Sequence, residues 1–200
     1  MKFLLNIKIK NIVISGNNYL NDDYIINLAG IKKYPSFLML NSQKVCKKVE
    51  SSKYIKTCQI NKKLGFVLRI KIVENRPLFY DVFSNKYILS DYIKINNDSI
   101  NNDFKIPRLL NYVPDKKYNK FIKSMSLIDK DTISKISDIE YKSNEFDKDR
   151  FLLYMDDGNM VYLTLTKFKM INHYNDVLSQ LEGHKGILYL DSGNHFKIME

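Results

Sequence analysis

The fold of the first part of this 200-residue chain is decided by residues 66–72, which read FVLRIKI. Phe66, Leu68, Ile70 and Ile72 alternate with the intervening residues, and this strict period of two predicts a β-strand with one buried face. A turn at 62–65 connects it to an earlier β-rich segment, residues 54–60. The two segments therefore predict a pair of neighbouring strands that ends at Pro77.

Two helices and another strand are predicted upstream of this pair. Residues 8–15 are rich in β-branched side chains and lead into a turn at 15–18. Asn21 then predicts a helix start, with Asp22 and Asp23 in the first turn and Gly30 as the stop. A second helix begins at Asn41 or Ser42. The order strand–helix–helix–strand–strand predicts one three-stranded sheet with both helices on one side.

The remaining sequence predicts a second unit with more strands. Segments 78–82 and 87–89 are β-rich, and residues 96–103 form a polar loop. A helix is predicted from Asp115, with an apolar face formed by Tyr118, Phe121, Ile122 and Met125. Three strands follow at 136–141, 151–155 and 160–166, and the last two are joined by a hairpin turn at 156–159.

A last helix and strand are predicted at the C-terminal end. Thr166 is expected to cap a helix with Ile171, Tyr174, Leu178 and Leu181 on one face, and Gly183 to end it. Residues 186–196, GILYLDSGNHF, then have a strand–turn–strand signature with the turn at 192–194. No later sequence is available to pair with this strand, so we expect Ile187–Leu190 at or near a sheet edge, where another protein's strand can bind.

The two faces of this terminal strand have different expected roles. Leu188 and Leu190 are expected to close the core, whereas Ile187 and Tyr189 are expected to face outward. Phe196 fits either a partner contact or packing beneath the turn.

The composition argues against nucleic-acid binding despite a net charge of +10. Lysine supplies nearly all of the positive charge, because the sequence has only four arginines, Arg69, Arg76, Arg108 and Arg150. Arginine is the better bidentate reader of phosphates and bases. The lysines are also spread along the sequence, so weak attraction to an anionic envelope surface is the preferred interpretation.

No residue pattern indicates catalysis, a metal site or a cofactor. His173, His184 and His195 do not have the spacing of metal ligands. Residues 156–159, DDGN, lack the length and terminal glutamate of an EF-hand loop, and none of the seven glycines lies in a phosphate-binding loop. The predicted class is a binding protein and not an enzyme.

The two cysteines, Cys46 and Cys58, are too few for a disulfide framework. Both occupy positions that suit small apolar residues, so two free core thiols are the preferred interpretation. A single bridge between them stays open, because sequence does not give the distance between two cysteines.

These segments, in this order and spacing, resemble the FtsQ/DivIB family of bacterial cell-division proteins, in its Gram-positive DivIB branch. The resemblance covers nearly all of residues 8–198. It rests on 9–17, 21–30, 54–56, the Leu64–Pro77 register with Glu74 and Arg76, Ile106-Pro107, 152–159 and 186–196. Two departures are Gly65, where the family often has proline, and Cys58, where it often has valine.

The resemblance implies an α+β protein with a POTRA domain (β-α-α-β-β) at 8–77. A second α+β domain, the family's β domain, follows at 78–200 with a mostly antiparallel sheet and a C-terminal helix and strand. Both domains would lie on the extracytoplasmic face of the cell membrane at the division septum. An N-terminal helix upstream would anchor them, and Phe3–Leu5 read either as its outer end or as the start of the first strand.

The implied function is a non-catalytic divisome scaffold that helps control septal peptidoglycan synthesis. Its implied partners are FtsL-like and DivIC/FtsB-like proteins, with the septal peptidoglycan synthase complex as a further candidate. In the family the last strand accepts a partner's strand and the preceding helix contributes side chains. The resemblance therefore assigns partner binding to Tyr174, Ile187, Leu188, Tyr189, Leu190, Asp191 and Phe196.

Two alternative functions remain open at this point. A POTRA-type chaperone or transport module would bind extended polypeptides along its sheet edges, although the second domain disfavours it. A basic nucleic-acid binder would show a steep dependence of affinity on salt.

Overall fold

A computed structural model describes residues 7–96, 104–181 and 183–199. The chain divides into two compact units, Met1–Arg76 and Pro77–Glu200. The sequence interpretations of Phe3–Leu5 and of most of the 96–103 loop lie outside the described residues. Among the described residues, no helix is both long enough and apolar enough to span a bilayer.

The first unit has the predicted order of elements. Strand β1 (Asn11–Ser15) is followed by helices α1 (Asp22–Ala29) and α2 (Ser42–Glu50), then by strands β2 (Ile55–Lys63) and β3 (Val67–Glu74). The sheet order is β1-β3-β2, with β1 parallel and β2 antiparallel to β3.

One face of this small sheet is buried. Leu68, Ile70 and Ile72 on β3 are at most 1% exposed, whereas Arg69 and Lys71 between them are exposed. Both helices bury their own apolar residues, Ile25, Ala29, Val45 and Val49, so they pack on this one face.

Side-chain caps fix the ends of the helices. The Asn21 side chain accepts a hydrogen bond from the Tyr24 N–H, and Asn41 accepts one from the Lys44 N–H. These bonds satisfy backbone donors that have no partner within the first helical turn. Helix α1 ends with Gly30 as its C-terminal cap, as predicted. The sequence allowed either Asn41 or Ser42 as the N-terminal cap of α2, and in the structure it is Asn41.

Glu74 ties the end of β3 to the chain just before α1. Its carboxylate accepts hydrogen bonds from the backbone N–H groups of Asn18, Tyr19 and Leu20 at 2.8, 2.9 and 2.8 Å. Such charge-assisted bonds are stronger than neutral ones, so Glu74 holds the β1–α1 connection in place.

A disulfide joins Cys46 on α2 to Cys58 on β2. The preferred interpretation of two free thiols is therefore wrong. Both side chains are half-buried, and their Cα atoms lie 5.3 Å apart, within the range that a bridge requires. The sequence could not give this distance, because it depends on how α2 lies against β2.

The second unit is built on a nine-stranded sheet. Its strands are β4 (Pro77–Asp81), β5 (Lys86–Leu89), β6 (Lys94–Asn96), β7 (Arg108–Leu109), β8 (Ile136–Tyr141), β9 (Arg150–Met155), β10 (Met160–Thr164), β11 (Gly186–Tyr189) and β12 (His195–Ile198). The order is β12-β11-β10-β9-β8-β7-β4-β5-β6. Of the eight strand pairs between described residues, five are antiparallel, which confirms the mostly antiparallel sheet.

Helices cover one face of this sheet. They are α3 (Asp115–Met125), the short α4 (Lys130–Ile133), a 3-10 helix (Leu165–His173) and α5 (Tyr174–Leu178). Phe121 on α3 stacks on Phe151 of β9 with ring centroids 4.7 Å apart, and both rings contact Phe168 edge-on. All three rings are fully buried, so they form the centre of this core.

The helix predicted from Thr166 is mostly a 3-10 helix. Leu165, Phe168, Ile171 and Tyr174 are the buried residues, and they recur every three positions. That period fits a 3-10 helix, with 3.0 residues per turn, better than an α-helix with 3.6.

Pro114 precedes α3 in the cap position, so Asp115 is the first helical residue and not the cap.

Candidate partner-binding edge

The edge strand at this end of the sheet is β12 and not β11. Strand β11 pairs in parallel with β10 on one side and antiparallel with β12 on the other. The expectation of a position at or near a sheet edge is therefore met in its second form: β11 lies next to the edge strand, and both of its own sides are paired. The chain continues through a turn at 190–194 and folds back as β12, and this strand has no neighbour on its outer side among the described residues.

The pairing of β12 shows which of its backbone groups face outward. The Met199 N–H donates to the Lys185 carbonyl at 2.9 Å. Bonded pairs alternate along an antiparallel ladder, so Lys197 and His195 also direct their backbone groups toward β11. The N–H and C=O groups of Phe196 and Ile198 therefore point outward, where an added strand can bond with them.

Gly186 allows β12 to lie close against β11. A Cβ atom at this position would overlap the backbone carbonyl oxygen of Lys197 and lie 2.7 and 2.8 Å from two atoms of the Phe196 ring. The Phe196 ring fills that space and packs partly buried against the core. Glycine at position 186 is therefore needed for β12 to pair closely with β11.

A row of stacked rings crosses the outer face of the sheet and ends on β12. Tyr162 of β10 stacks on Tyr189 of β11 with centroids 5.4 Å apart, and Tyr189 stacks on His195 of β12 at 4.8 Å. The three residues are register partners on adjacent strands. The row stiffens the part of the sheet that carries the edge, because stacked aromatic pairs add stabilisation beyond their buried area.

An ion pair closes the other end of this row. The Arg150 guanidinium lies 3.5 Å from the Tyr162 ring centroid, and its Nε donates to Asp191 Oδ2 at 2.6 Å. Both charged side chains are largely buried, at 14% and 8% exposure. The Lys167 ammonium donates to the Leu190 carbonyl at 2.8 Å. Asp191 is therefore engaged inside the protein and anchors the turn that leads to β12.

The hairpin turn at 156–159 organises the start of β11. The Asn159 side chain accepts a hydrogen bond from the Gly186 N–H at 2.8 Å, and Asp157 accepts one from the Tyr174 hydroxyl at 2.8 Å. Burial raises the pKa of the Tyr174 hydroxyl, and its bond to Asp157 raises it further, so the hydroxyl stays protonated as a donor. The sequence identified this turn only as a connection between two strands.

Replacing Tyr174 by phenylalanine should destabilise the second unit by about 1–2 kcal/mol, because Asp157 loses a donor in a partly buried setting. The free energy of unfolding in urea measures the effect. Tyr154→Phe is the matched control, since that hydroxyl donates to Glu140 from a half-exposed ring and its loss should cost less. Equal effects of the two substitutions would contradict a special role for the Tyr174 bond.

The predicted partner-binding residues fall into three groups. Tyr174, Leu188 and Leu190 are between 2% and 6% exposed and belong to the core, so they can position the edge but do not face a partner. Asp191 is tied to Arg150. Ile187, Tyr189 and Phe196 are half-buried, and only Phe196 lies on the edge strand itself.

The strand–turn–strand motif was predicted from sequence, but His195, Lys197 and Ile198 were not assigned to the edge. Ile198, with its outward N–H, is 51% exposed. The signal that could have found them is the alternation of His195, Phe196, Lys197 and Ile198 after a five-residue turn at 190–194, which is typical of a hairpin.

The three histidines lie apart. His173 lies 3.2 Å from Asp176 on the surface, His184 is exposed near the start of β11, and His195 ends the stacked row. Within residues 7–96, 104–181 and 183–199, no group of three or more histidine, cysteine or acidic side chains is arranged to hold a metal ion.

Comparison with known proteins shows that the first unit matches a known domain family. The FtsQ-type POTRA domain family matches residues 7–75. The cell division protein DivIB of Bacillus subtilis (strain 168) is 27% identical over 201 residues, which are 95% of this chain and 74% of that protein. DivIB of Listeria monocytogenes is 25% identical over 95% of this chain and 72% of its own length.

Over most of its length the chain is similar to DivIB cell-division proteins, and its first unit matches the FtsQ-type POTRA domain. The family match covers all five elements of the first unit, and the two relatives extend the similarity through the second unit. A solved structure, the major extracytoplasmic domain of the trans isomer of DivIB from Geobacillus stearothermophilus, superposes with a TM-score of 0.44 at 19% identity, covering 55% of this chain and 95% of that one. Both of these relatives are named as cell-division proteins.

Proposed function

We propose that this protein is a non-catalytic scaffold of the divisome, on the extracytoplasmic face of the membrane at the septum. Its second unit, from Pro77 onward, is the family's β domain. It binds FtsL-like and DivIC/FtsB-like partners and so helps to control septal peptidoglycan synthesis. The observation that carries the proposal is the free β12 edge, held in place by the Gly186 contact and the Tyr162–Tyr189–His195 row.

The disulfide supports the proposed location. A bridge such as Cys46–Cys58 persists in an oxidising compartment and is rare in the reducing cytosol. An anchoring helix before the first unit would hold both units outside the membrane.

The edge supports binding by strand addition. A partner strand laid beside β12 gains hydrogen bonds to the outward groups of Phe196 and Ile198, each worth a net of about 0.5–1.5 kcal/mol. Alternate side chains of the added strand would then meet Lys197 and His195 on one face and Phe196 and Ile198 on the other, which provides specificity.

Replacing Ile198 by proline tests strand addition at this edge. Proline removes the outward N–H, and its ring occupies the path of an added strand, so partner affinity should fall at least about tenfold. Titration calorimetry with the extracytoplasmic segment of the DivIC/FtsB-like protein from the same genome measures the affinity. Thermal stability should change little, because an edge strand tolerates proline where the N–H faces solvent.

Ile198→Thr is the matched control for this substitution. It removes the exposed apolar side chain but keeps the outward N–H, so it should retain most of the affinity. An Ile198→Pro protein that binds the partner as tightly as the unsubstituted protein would rule out strand addition at β12.

A further inference from the structure

One end of the first unit combines lysines and exposed apolar side chains. Three segments that are distant in sequence meet there: residues 7–10, 31–40 and 62–67, together called the basic end. The Phe37 N–H donates to the Ile7 carbonyl at 2.8 Å, and the Lys10 N–H donates to the Phe66 carbonyl at 2.9 Å. The Lys62 ammonium donates to the Leu38 carbonyl at 3.2 Å. These bonds hold the three segments together as one surface.

The basic end contains lysines and no carboxylate. Its six lysines are all exposed, and they are Lys8, Lys10, Lys32, Lys33, Lys62 and Lys63. The acidic residues of the described part of this unit lie elsewhere: Asp22 and Asp23 at the start of α1, Glu50 at the end of α2 and Glu74 at the end of β3. Since α1 ends at the basic end and α2 begins there, these helices separate the charges by about 12–14 Å.

Exposed apolar side chains project from the same end. Leu64, at the tip of the β2–β3 turn, is 99% exposed, and Met39 is 70% exposed. Leu38 and Tyr34 are 48% and 42% exposed. Exposed apolar groups that cluster and are rimmed by polar residues mark surfaces that contact another molecule or a membrane.

The base of these projections is rigid. The Phe37 and Phe66 rings pack edge-on with centroids 5.6 Å apart, which joins the loop at 31–40 to the β2–β3 turn. The Lys62 ammonium lies 5.4 Å from the Phe37 centroid and the Lys10 ammonium 5.5 Å from the Phe66 centroid. Leu64 and Met39 are therefore presented from a fixed platform.

We propose that the basic end docks on a bilayer that contains anionic lipids, with Leu64 and Met39 inserted among the headgroups. Several well-spaced lysines without arginine match the diffuse negative charge of a lipid surface better than a single bidentate site. The apolar groups project from two separate segments, the 31–40 loop and the β2–β3 turn. The proposal is independent of strand addition at β12, which concerns the other unit.

A single tryptophan can report the insertion directly, because the sequence contains none. Leu64→Trp should leave the fold intact, since the Leu64 side chain is in water. Its emission should shift to the blue with vesicles of equal phosphatidylglycerol and phosphatidylcholine, and not with phosphatidylcholine alone. Val73→Trp is the matched control: Val73 is 47% exposed but lies at the other end of β3, so its emission should not shift.

Charge variants test the electrostatic part. Lys62→Gln with Lys63→Gln should weaken partitioning into the mixed vesicles ten- to thirtyfold, because each lysine near an anionic surface contributes about fivefold. Lys53→Gln with Lys71→Gln removes the same charge away from the basic end and should change partitioning less than about twofold. Raising the ionic strength from about 0.1 M to about 1 M should also weaken binding, because the screening length falls from about 10 Å to about 3 Å.

Three outcomes would overturn the proposal. The first is no emission shift for Leu64→Trp on the mixed vesicles, or an equal shift on phosphatidylcholine alone. The second is an equal loss of vesicle partitioning for the two pairs of lysine substitutions, which would show that binding depends only on the net charge of the protein. The third is tighter binding to soluble polyglutamate than to vesicles, which would identify an acidic polypeptide as the occupant.

Discussion

Replacing Gly186 by alanine is expected to abolish partner binding while most of the second unit stays folded. The new Cβ would overlap the Lys197 carbonyl and crowd the Phe196 ring, and a backbone carbonyl cannot move without displacing its strand. Among the described residues β12 pairs with β11 alone, so β12 should detach. Partner affinity should then fall by about a hundredfold or more, as two outward hydrogen-bonding residues and their side-chain contacts are lost together.

Calorimetry with the same partner segment measures the affinity, and hydrogen exchange measures the loss of protection in β12. Gly183→Ala is the control. Gly183 has φ of 89° and no heavy atom within 4 Å of an added Cβ, so alanine there costs only backbone strain of about 1–2 kcal/mol. If Gly186→Ala binds the partner normally, the edge does not depend on the close approach at residue 186.

Removing the Cys46–Cys58 bridge is expected to produce the largest loss of stability in the first unit. The bridge closes a loop with a sequence separation of 12 residues, and loops of this size contribute about 3 kcal/mol, mainly by restricting the unfolded chain. For a unit of this size, that loss lowers the melting temperature by about 12–24 °C. Cys46→Ser with Cys58→Ser should therefore unfold at a lower urea concentration than the oxidised protein.

Reductant provides the internal control for this prediction. It should destabilise the unsubstituted protein and leave the double variant unchanged, because the variant has no bridge to reduce. Unfolding of the second unit, followed by its own hydrogen-exchange protection, should be insensitive to reductant. Equal urea midpoints for the oxidised protein and the double variant would show that the bridge does not stabilise the unit.

The elements with strong local signals were predicted from sequence, and the family resemblance was confirmed. The bounds predicted for β8 agree with the structure, and those of β9 and β10 agree within two residues. Their β-rich composition and the glycine-containing turn at 156–159 are both local properties of the sequence. The caps at Asn21 and Gly30 are local in the same way.

The missed features depend on contacts between distant segments. The strand–turn–strand motif at 186–196 was predicted, but its second strand was not placed at the edge, because that placement depends on how the whole sheet is ordered. The parallel pairing of β11 with β10 follows from the crossover after β10, which no local pattern specifies. The bridge between Cys46 and Cys58 and the lysines of the basic end likewise come together only in three dimensions.

The helix after β10 was misassigned for a different reason. Ile171, Tyr174 and Leu178 fit an α-helical spacing, whereas Leu165, Phe168, Ile171 and Tyr174 fit a period of three. Both spacings share Ile171 and Tyr174. Only the upstream residues Leu165 and Phe168 distinguish the 3-10 helix from an α-helix.

The late position of β12 in the chain has a consequence for assembly. Because an isolated two-stranded hairpin is marginally stable in water, β12 should become stable only once β11 has paired with β10, which is far more distant in sequence than a hairpin neighbour. A molecule in which this pairing has not formed is therefore expected to lack the β12 edge, even if its earlier segments have folded. Binding through the β12 edge would then select fully folded molecules over incompletely folded ones. The strand order of the sheet would in this way limit which molecules can join the complex.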